Sequence, residues 1–215
     1  SIGANPLLAR VGAYYHDIGK LRRPWFFSEN QLDGVNVHDN PAPQTSAEIL
    51  ISHVRDGLAL ARQHRLPAII QDFIAQHHGT FLIIPFYHQA LKDTDGQGVD
   101  VQDFRYPGPK PQTREAAILM LADTCEAAIR SARTSSPEEI EELVGKVIQD
   151  RLVDGQLDEC DLRLRDLERI KGAFSGILQG MYHSRVPYPE EEGESPPPLQ
   201  PDSASQLPGD VHSRT

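Results

Sequence analysis

Apolar residues recur along most of this chain with helical rather than alternating spacing. Leu7, Leu8, Val11, Tyr14, Tyr15 and Ile18 fall on one stripe and predict a helix over residues 6–20. Pro24, Gly34, Asn36, Asn40, Pro41 and Pro43 mark a loop after it. Thr45 or Ser46 is then placed to cap a second helix, with Glu48 in its first turn. Ile49, Leu50, His53, Leu58 and Ala61 carry that helix toward Arg65. Pro67 suits a first helical position, Ile69, Ile70, Phe73 and Ile74 continue to His78, and Gly79 is a stop. Residues 92–111 hold Gly96, Gly98, Pro107, Gly108, Pro109 and Pro111, and predict an exposed loop. A strong helix follows over 112–133, with a buried stripe of Ala116, Leu119, Met120, Asp123 and Ala127. Ser136 caps the next helix ahead of Pro137, and residues 162–182 make the last one. No alternating strand of useful length and no repeat interrupts the pattern. The predicted fold class is all-α, a bundle of six or seven helices.

Composition changes this picture at one end only. The chain has 215 residues and a net charge of -10. Residues 189–215 hold six acidic side chains, one basic one and six of the 17 prolines, with no aromatic residue. Such a segment cannot offset its ordering entropy by burial, so it is expected to be a disordered acidic, Pro-rich tail behind a domain spanning 1–188. The acidic balance excludes wrapping of long nucleic acid by charge. No apolar run approaches the ~18 residues that span a bilayer. Cys125 and Cys160 stand apart without CxxC spacing and read as core fillers in a reducing compartment. The first residue is Ser1, so the domain is expected to be an N-terminal cut of something longer.

The candidate chemistry lies where polar residues break the apolar stripes. His16-Asp17 sits on the first helix, His53 between Ile51 and Val54 on the second, His77-His78 directly after Phe73-Ile74-Ala75 on the third, and Asp123 within Leu119-Met120-Leu121-Ala122 on a fourth. A buried carboxylate is costly unless it is paired or bound to metal. His and Asp together form a ligand set for Zn, Fe(II) or Mn(II), and a bundle builds such sites from inward side chains on facing helices. Lys20 lies one turn after Asp17, where a cation can neutralise phosphate charge. His38-Asp39 sits in loop context, and His64, His88 and His212 read as solvated.

The order His16-Asp17-Ile18-Gly19-Lys20, His53, His77-His78-Gly79-Thr80 and Asp123 resembles the HD-domain metal-dependent phosphohydrolases. Asn36-Val37-His38-Asp39-Asn40, Phe104-Arg105-Tyr106-Pro107-Gly108-Pro109-Lys110-Pro111-Gln112, Asp154-Gly155-Gln156-Leu157-Asp158-Glu159 and the stretch Tyr182-His183-Ser184-Arg185-Val186-Pro187-Tyr188-Pro189 narrow the resemblance to the seven-transmembrane-receptor HD group. Members of that group are cyclic di-AMP phosphodiesterases. The resemblance implies that His16, Asp17 and Asp123 hold one metal, and that Asp17 bridges to a second held by His53, His77 and His78. It implies two divalent ions, Fe or Mn, and a metal-activated hydroxide that opens cyclic di-AMP to the linear dinucleotide. Asp17 and Lys20 would be catalytic, and Lys20, Thr80, Arg105, Tyr106 and Lys110 would contact substrate. It places the domain in the cytoplasm, tethered to the membrane only through N-terminal segments absent from this chain. Gly79-Thr80-Phe81-Leu82 stands where cyclic di-GMP phosphodiesterases carry Gly-Tyr-Pro, which argues against that substrate. One departure stands out: the family uses another His upstream of the pair, and none of the 15 residues before His16 is His. That motivates two alternatives, a cyclic-dinucleotide sensor with little turnover and an HD phosphohydrolase acting on another nucleotide. With two cations set against Asp17 and Asp123, the local charge is positive and the global -10 does not repel a small dinucleotide.

Overall fold

A computed structural model of the chain describes residues 2–27, 30 and 41–182. Its helices are α1 (Pro6–Tyr15), α2 (Pro43–Gln63), α3 (Ala68–Gln76), α4 (Ile84–Asp93), α5 (Arg114–Ala132), α6 (Pro137–Val153) and α7 (Leu164–Tyr182). Short 3-10 segments run over Ile18–Arg22, Pro24–Phe26 and Val101–Phe104. No strand occurs among the described residues; a single antiparallel bridge joins Leu82 and Arg105. The predicted tail, His38-Asp39, His183 and His212 lie outside the described residues.

Local chemistry explains most helix ends. The Asn5 side chain accepts from the Leu7 and Leu8 amides, and Pro6 opens α1. Thr113 and Ser136 cap α5 and α6 by accepting from Ala116 and Glu139. The second helix starts earlier than predicted. Its cap is Ala42, with no side-chain bond, and Pro43 sets the entry; Thr45 and Ser46 are already inside it. Pro67 precedes α3 rather than opening it. Residues 84–93, whose apolar positions alone do not separate helix from strand, form α4.

The first helix is also shorter than predicted, for a steric reason. At Asp17 the chain leaves the α-helix and re-enters as a 3-10 turn that lays Gly19 on α2. A Cβ on Gly19 would sit 1.8 Å from the His53 carbonyl oxygen and 2.5 Å from the Gly57 nitrogen. Only glycine allows that approach, which sets Asp17 and His53 side by side.

Among the described residues, three apolar clusters hold the helices. The largest packs Ala117, Leu121, Cys125 and Ile129 of α5 against Ile140, Val144 and Val147 of α6 and Leu167, Ile170 and Leu178 of α7. A second joins Ala47 and Val54 of α2 to Ala90 of α4, Ile83, Phe104 and Tyr106. A third sets Ile70 and Phe73 of α3 on Ala116 and Leu119 of α5, with Leu8 and Val11 of α1 against them. The second cluster corrects the reading of 92–111 as exposed loop. Val101–Phe104 is helical, and Phe104 and Tyr106 are buried, because their rings fill the space between α2 and α4.

Candidate metal centre

His16, Asp17, His53, His77, His78 and Asp123 come from four separate elements and converge on one spot. His16 is the last residue bonded into α1, His53 lies mid-way along α2, His77 caps α3 and Asp123 lies on α5. Three of the rings are oriented the same way. His16 Nδ1 meets the Ala13 carbonyl at 2.8 Å, His53 Nδ1 the Leu50 carbonyl at 2.5 Å, and His77 Nδ1 the Ile74 carbonyl at 2.9 Å. A carbonyl oxygen only accepts, so each Nδ1 carries a proton and donates it. Each Nε2 is therefore left with a lone pair when its ring is neutral, and all three face the centre.

Asp17 occupies the middle. Its Oδ1 lies 3.4 Å from His53 Nε2 and 3.6 Å from His77 Nε2; its Oδ2 lies 3.2 Å from His16 Nε2 and 2.7 Å from Lys20 Nζ. Asp123 Oδ1 is 3.6 Å from His16 Nε2, and its Oδ2 is 4.0 Å from His78 Nδ1. Two groups result, Asp17 with His53, His77 and His78, and His16 with Asp17 and Asp123; within each, the ligating atoms lie within 4.8 Å of one another. Asp17 belongs to both.

This arrangement fits a cation. His53 Nε2 and His77 Nε2 face each other at 3.0 Å, where two neutral rings would set lone pair against lone pair. His16 Nε2 and Asp17 Oδ1 are buried with no hydrogen-bond partner. Buried polar atoms without partners are costly, and lone pairs pointed at one another repel unless a positive charge lies among them. The electrostatics agree. Burial opposes the charge on Asp17, but the neighbouring His16, His77 and Lys20 hold it ionised, well below the usual carboxylate range. Asp123 is likewise held down, against burial, by His16 and His77. Burial and the neighbouring His77 lower His53 to about 4, and the same causes keep His78 neutral. His16 is the exception: burial disfavours its charge, yet Asp123 and Asp17 raise it to about 10. Without metal, a proton on His16 offsets part of the carboxylate charge.

The family model of the HD domain matches residues 1–128. The chain belongs to the HD-domain family. It is 49% identical over 190 residues to the cyclic-di-AMP phosphodiesterase PgpH of Bacillus subtilis (strain 168), a match covering 88% of this chain and 26% of that protein. It is 44% identical over 191 residues to the PgpH of Listeria monocytogenes serotype 1/2a (strain 10403S), covering 89% and 26%. The chain thus spans about a quarter of the length of these curated relatives. The crystal structure of the L. monocytogenes PgpH HD domain in complex with cyclic-di-AMP superposes with a TM-score of 0.81 at 44% identity, over 84% of each chain. HD domains are metal-dependent, and in this one the His/Asp cluster could hold the metal.

The remaining predicted residues of this HD domain differ in whether they touch the cluster. Lys20 contacts Asp17 directly. Tyr106 stacks on His78, with ring centroids 4.2 Å apart and planes at 26°, so its phenol is packed against a proposed ligand. Thr80 faces inward: its amide donates to Gln156 Oε1 at 2.9 Å, and its hydroxyl receives Gln156 Nε2 at 2.9 Å. Arg105 donates to the Thr80 carbonyl at 2.8 Å and lies 3.5 Å from Asp154. Lys110 sits 3.9 Å from Asp158. His64 and His88 lie apart from the cluster, and His64 is exposed.

Two buried polar neighbours of the cluster carry no assigned role in the sequence expectations. Gln156 is 1% exposed and ties the turn after His78 to the end of α6; its amide also donates to Asp154 at 2.8 Å. Gly79 lies beneath it with φ +53, and a Cβ there would meet Gln156 Oε1 at 2.4 Å. Arg151 is the other. It stands four residues after Val147 and three after Ile148, on the buried face of α6. A charge on an apolar stripe is the signal that marks His53, and it is present here too.

Proposed function

We propose that this HD domain is a metal-dependent phosphodiesterase that opens cyclic di-AMP to the linear dinucleotide. The observation that carries the reading is the sharing of Asp17 between two ligand groups, in a fold that superposes on a PgpH HD domain holding cyclic-di-AMP. His53, His77 and His78 with Asp17 would hold one divalent ion, and His16 and Asp123 with Asp17 a second. The donor set is nitrogen and oxygen without thiolate, which suits Fe or Mn. Cys125 takes no part: burial pushes its thiol up to about 12 and it packs in the α5–α6–α7 core.

When bound, the ions supply a hydroxide at neutral pH and a Lewis acid at the phosphoryl oxygens. The chain's own residues do the rest. The backbone carbonyls of Ala13, Leu50 and Ile74 lock the rings of His16, His53 and His77 so that each Nε2 faces inward. Asp17 stays ionised and joins the two groups. The Lys20 ammonium, held beside Asp17, is placed to take charge from a phosphoryl oxygen as attack proceeds. Tyr106 covers His78 and screens that side of the centre. No helix among the described residues is long and apolar enough to cross a membrane. We place any attachment of the parent protein to a membrane, with this domain on the cytoplasmic side, in segments outside this chain.

A second reading, a sensor that binds the dinucleotide with little turnover, is favoured by one observation. Among the described residues, the group of His16, Asp17 and Asp123 offers three ligands, one fewer than the group around His53. One experiment separates the readings. The purified chain is assayed with cyclic di-AMP, cyclic di-GMP and nucleoside triphosphates while bound metal is counted. Two equivalents of metal and linear product from cyclic di-AMP alone support the enzyme. One equivalent or none, with binding but no product, establishes the sensor. Product from another nucleotide moves the domain to a different substrate.

A further inference from the structure

Arg151 is a costly residue that the chemistry above does not use. It is 5% exposed, its guanidinium carbon lies 3.3 Å from the centroid of the Phe81 ring, and its Nη2 donates to Thr124 Oγ1 at 3.2 Å. Its Nε is buried with no hydrogen-bond partner. Burial lowers it to about 10, opposed by Asp154, Asp150 and Asp123, so it remains a cation at neutral pH. A guanidinium has five donors, and burying one with so few bonds costs stability. An apolar side chain of similar length would fill the same space at lower cost.

What the arginine does, and an apolar chain would not, is grip two segments at once. Phe81 follows His78 by three residues, on the turn that carries that ring. Thr124 follows Asp123 directly on α5, and its hydroxyl donates to the Met120 carbonyl at 2.8 Å, which leaves its lone pairs to Arg151. The face of the guanidinium holds the first segment and its edge holds the second. Between them lies the 4.0 Å gap from His78 Nδ1 to Asp123 Oδ2, where one ligand group meets the other.

We infer that Arg151 is a positioning residue that sets the separation of His78 and Asp123, and so couples the two halves of the metal centre. This rests on the metal reading of the site. It acts through Phe81 and Thr124, not on substrate.

The test titrates Mn(II) into the metal-free intact chain and follows it by electron paramagnetic resonance, with thermal unfolding recorded in chelator. Arg151→Met, Arg151→Lys and Thr124→Val are compared with wild type. Arg151→Met should weaken manganese binding roughly tenfold or more, the size of effect that ligand-supporting groups exert, and should weaken any exchange coupling between two bound ions. Its chelated unfolding midpoint should be unchanged or higher. Thr124→Val should weaken binding by less, and Arg151→Lys should fall between methionine and wild type. Wild-type affinity and coupling in Arg151→Met overturn the inference, and so does a fall in its midpoint that accompanies the loss of binding, because that is ordinary core damage. Wild type that binds no manganese overturns the metal reading itself, and this inference with it.

Discussion

Helix α5 has two sides that solve opposite problems. On one, Ala117, Leu121, Cys125 and Ile129 meet α6 and α7 in an apolar core that needs nothing from outside the chain. On the other, Asp123 turns toward His16 and His78 in a cluster whose buried polar atoms find too few partners within the protein. The first side gains free energy by removing apolar surface from water, about 25 cal/mol per Å². The second gives up part of that gain to hold lone pairs and carboxylates together. The lesson is one of division: stability is built where α5, α6 and α7 pack, and the candidate metal ligands gather where α1, α2, α3 and α5 meet.

The sharpest way to test that division is to remove the group both ligand sets share. Asp17→Asn should abolish hydrolysis by a factor of roughly 10³ or more, since the ions supply several kcal/mol of charge stabilisation and each ~1.36 kcal/mol is tenfold. Wild type should gain about 2.7 kcal/mol of stability at a metal concentration about a hundred times its Kd, and Asp17→Asn should gain almost none. Activity assays give the first effect, and calorimetric unfolding with and without Mn(II) gives the second. An unchanged metal-induced rise in the variant would sink the shared-carboxylate reading.

The reciprocal change is in the core. Ile140 is fully buried on α6 between α5 and α7. Ile140→Ala should cost about 2–5 kcal/mol in a denaturant titration. It lies eleven residues before Arg151, roughly 16 Å along the helix, beyond the range at which such effects usually couple. Manganese affinity should therefore stay at the wild-type value. A parallel loss of affinity would show that the two regions are one cooperative unit and that the division is wrong.

How much of the fold and of the metal centre is legible in the sequence depends on how local the deciding interaction is. His53 and Asp123 are visible because a polar residue on an apolar stripe is a local anomaly. The caps at Asn5 and Ser136 obey the same short-range chemistry, although only Ser136 stands among the sequence expectations. The end of α1 at Tyr15 is not legible, because it depends on Gly19 meeting the His53 carbonyl across 34 residues. Phe104 and Tyr106 look exposed because prolines and glycines surround them, while their burial is decided by the space between α2 and α4. Helix α4 is hidden because the apolar run 81–87 fits a strand or a helix equally well. Arg151 is legible in principle: its position on the α6 stripe carries the same anomaly as His53.

The smallest expected effect lies at Gln156, where the two regions touch. Its one carboxamide satisfies the Thr80 amide, the Thr80 hydroxyl and Asp154, and so fixes the turn that follows His77-His78. Gln156→Leu roughly keeps the volume but removes every one of those bonds. The Thr80 amide is then left without its partner, which costs about 1–3 kcal/mol. If the turn exists to present His77 and His78, that cost should appear twice, as a modest loss of stability and as a loss of metal affinity. If it merely closes the end of α6, only stability should change. Denaturant unfolding in chelator alongside a manganese titration distinguishes the two. Loss of stability with wild-type manganese affinity would place Gln156 with the α5–α6–α7 core and move the border of the metal centre inward to His78 itself.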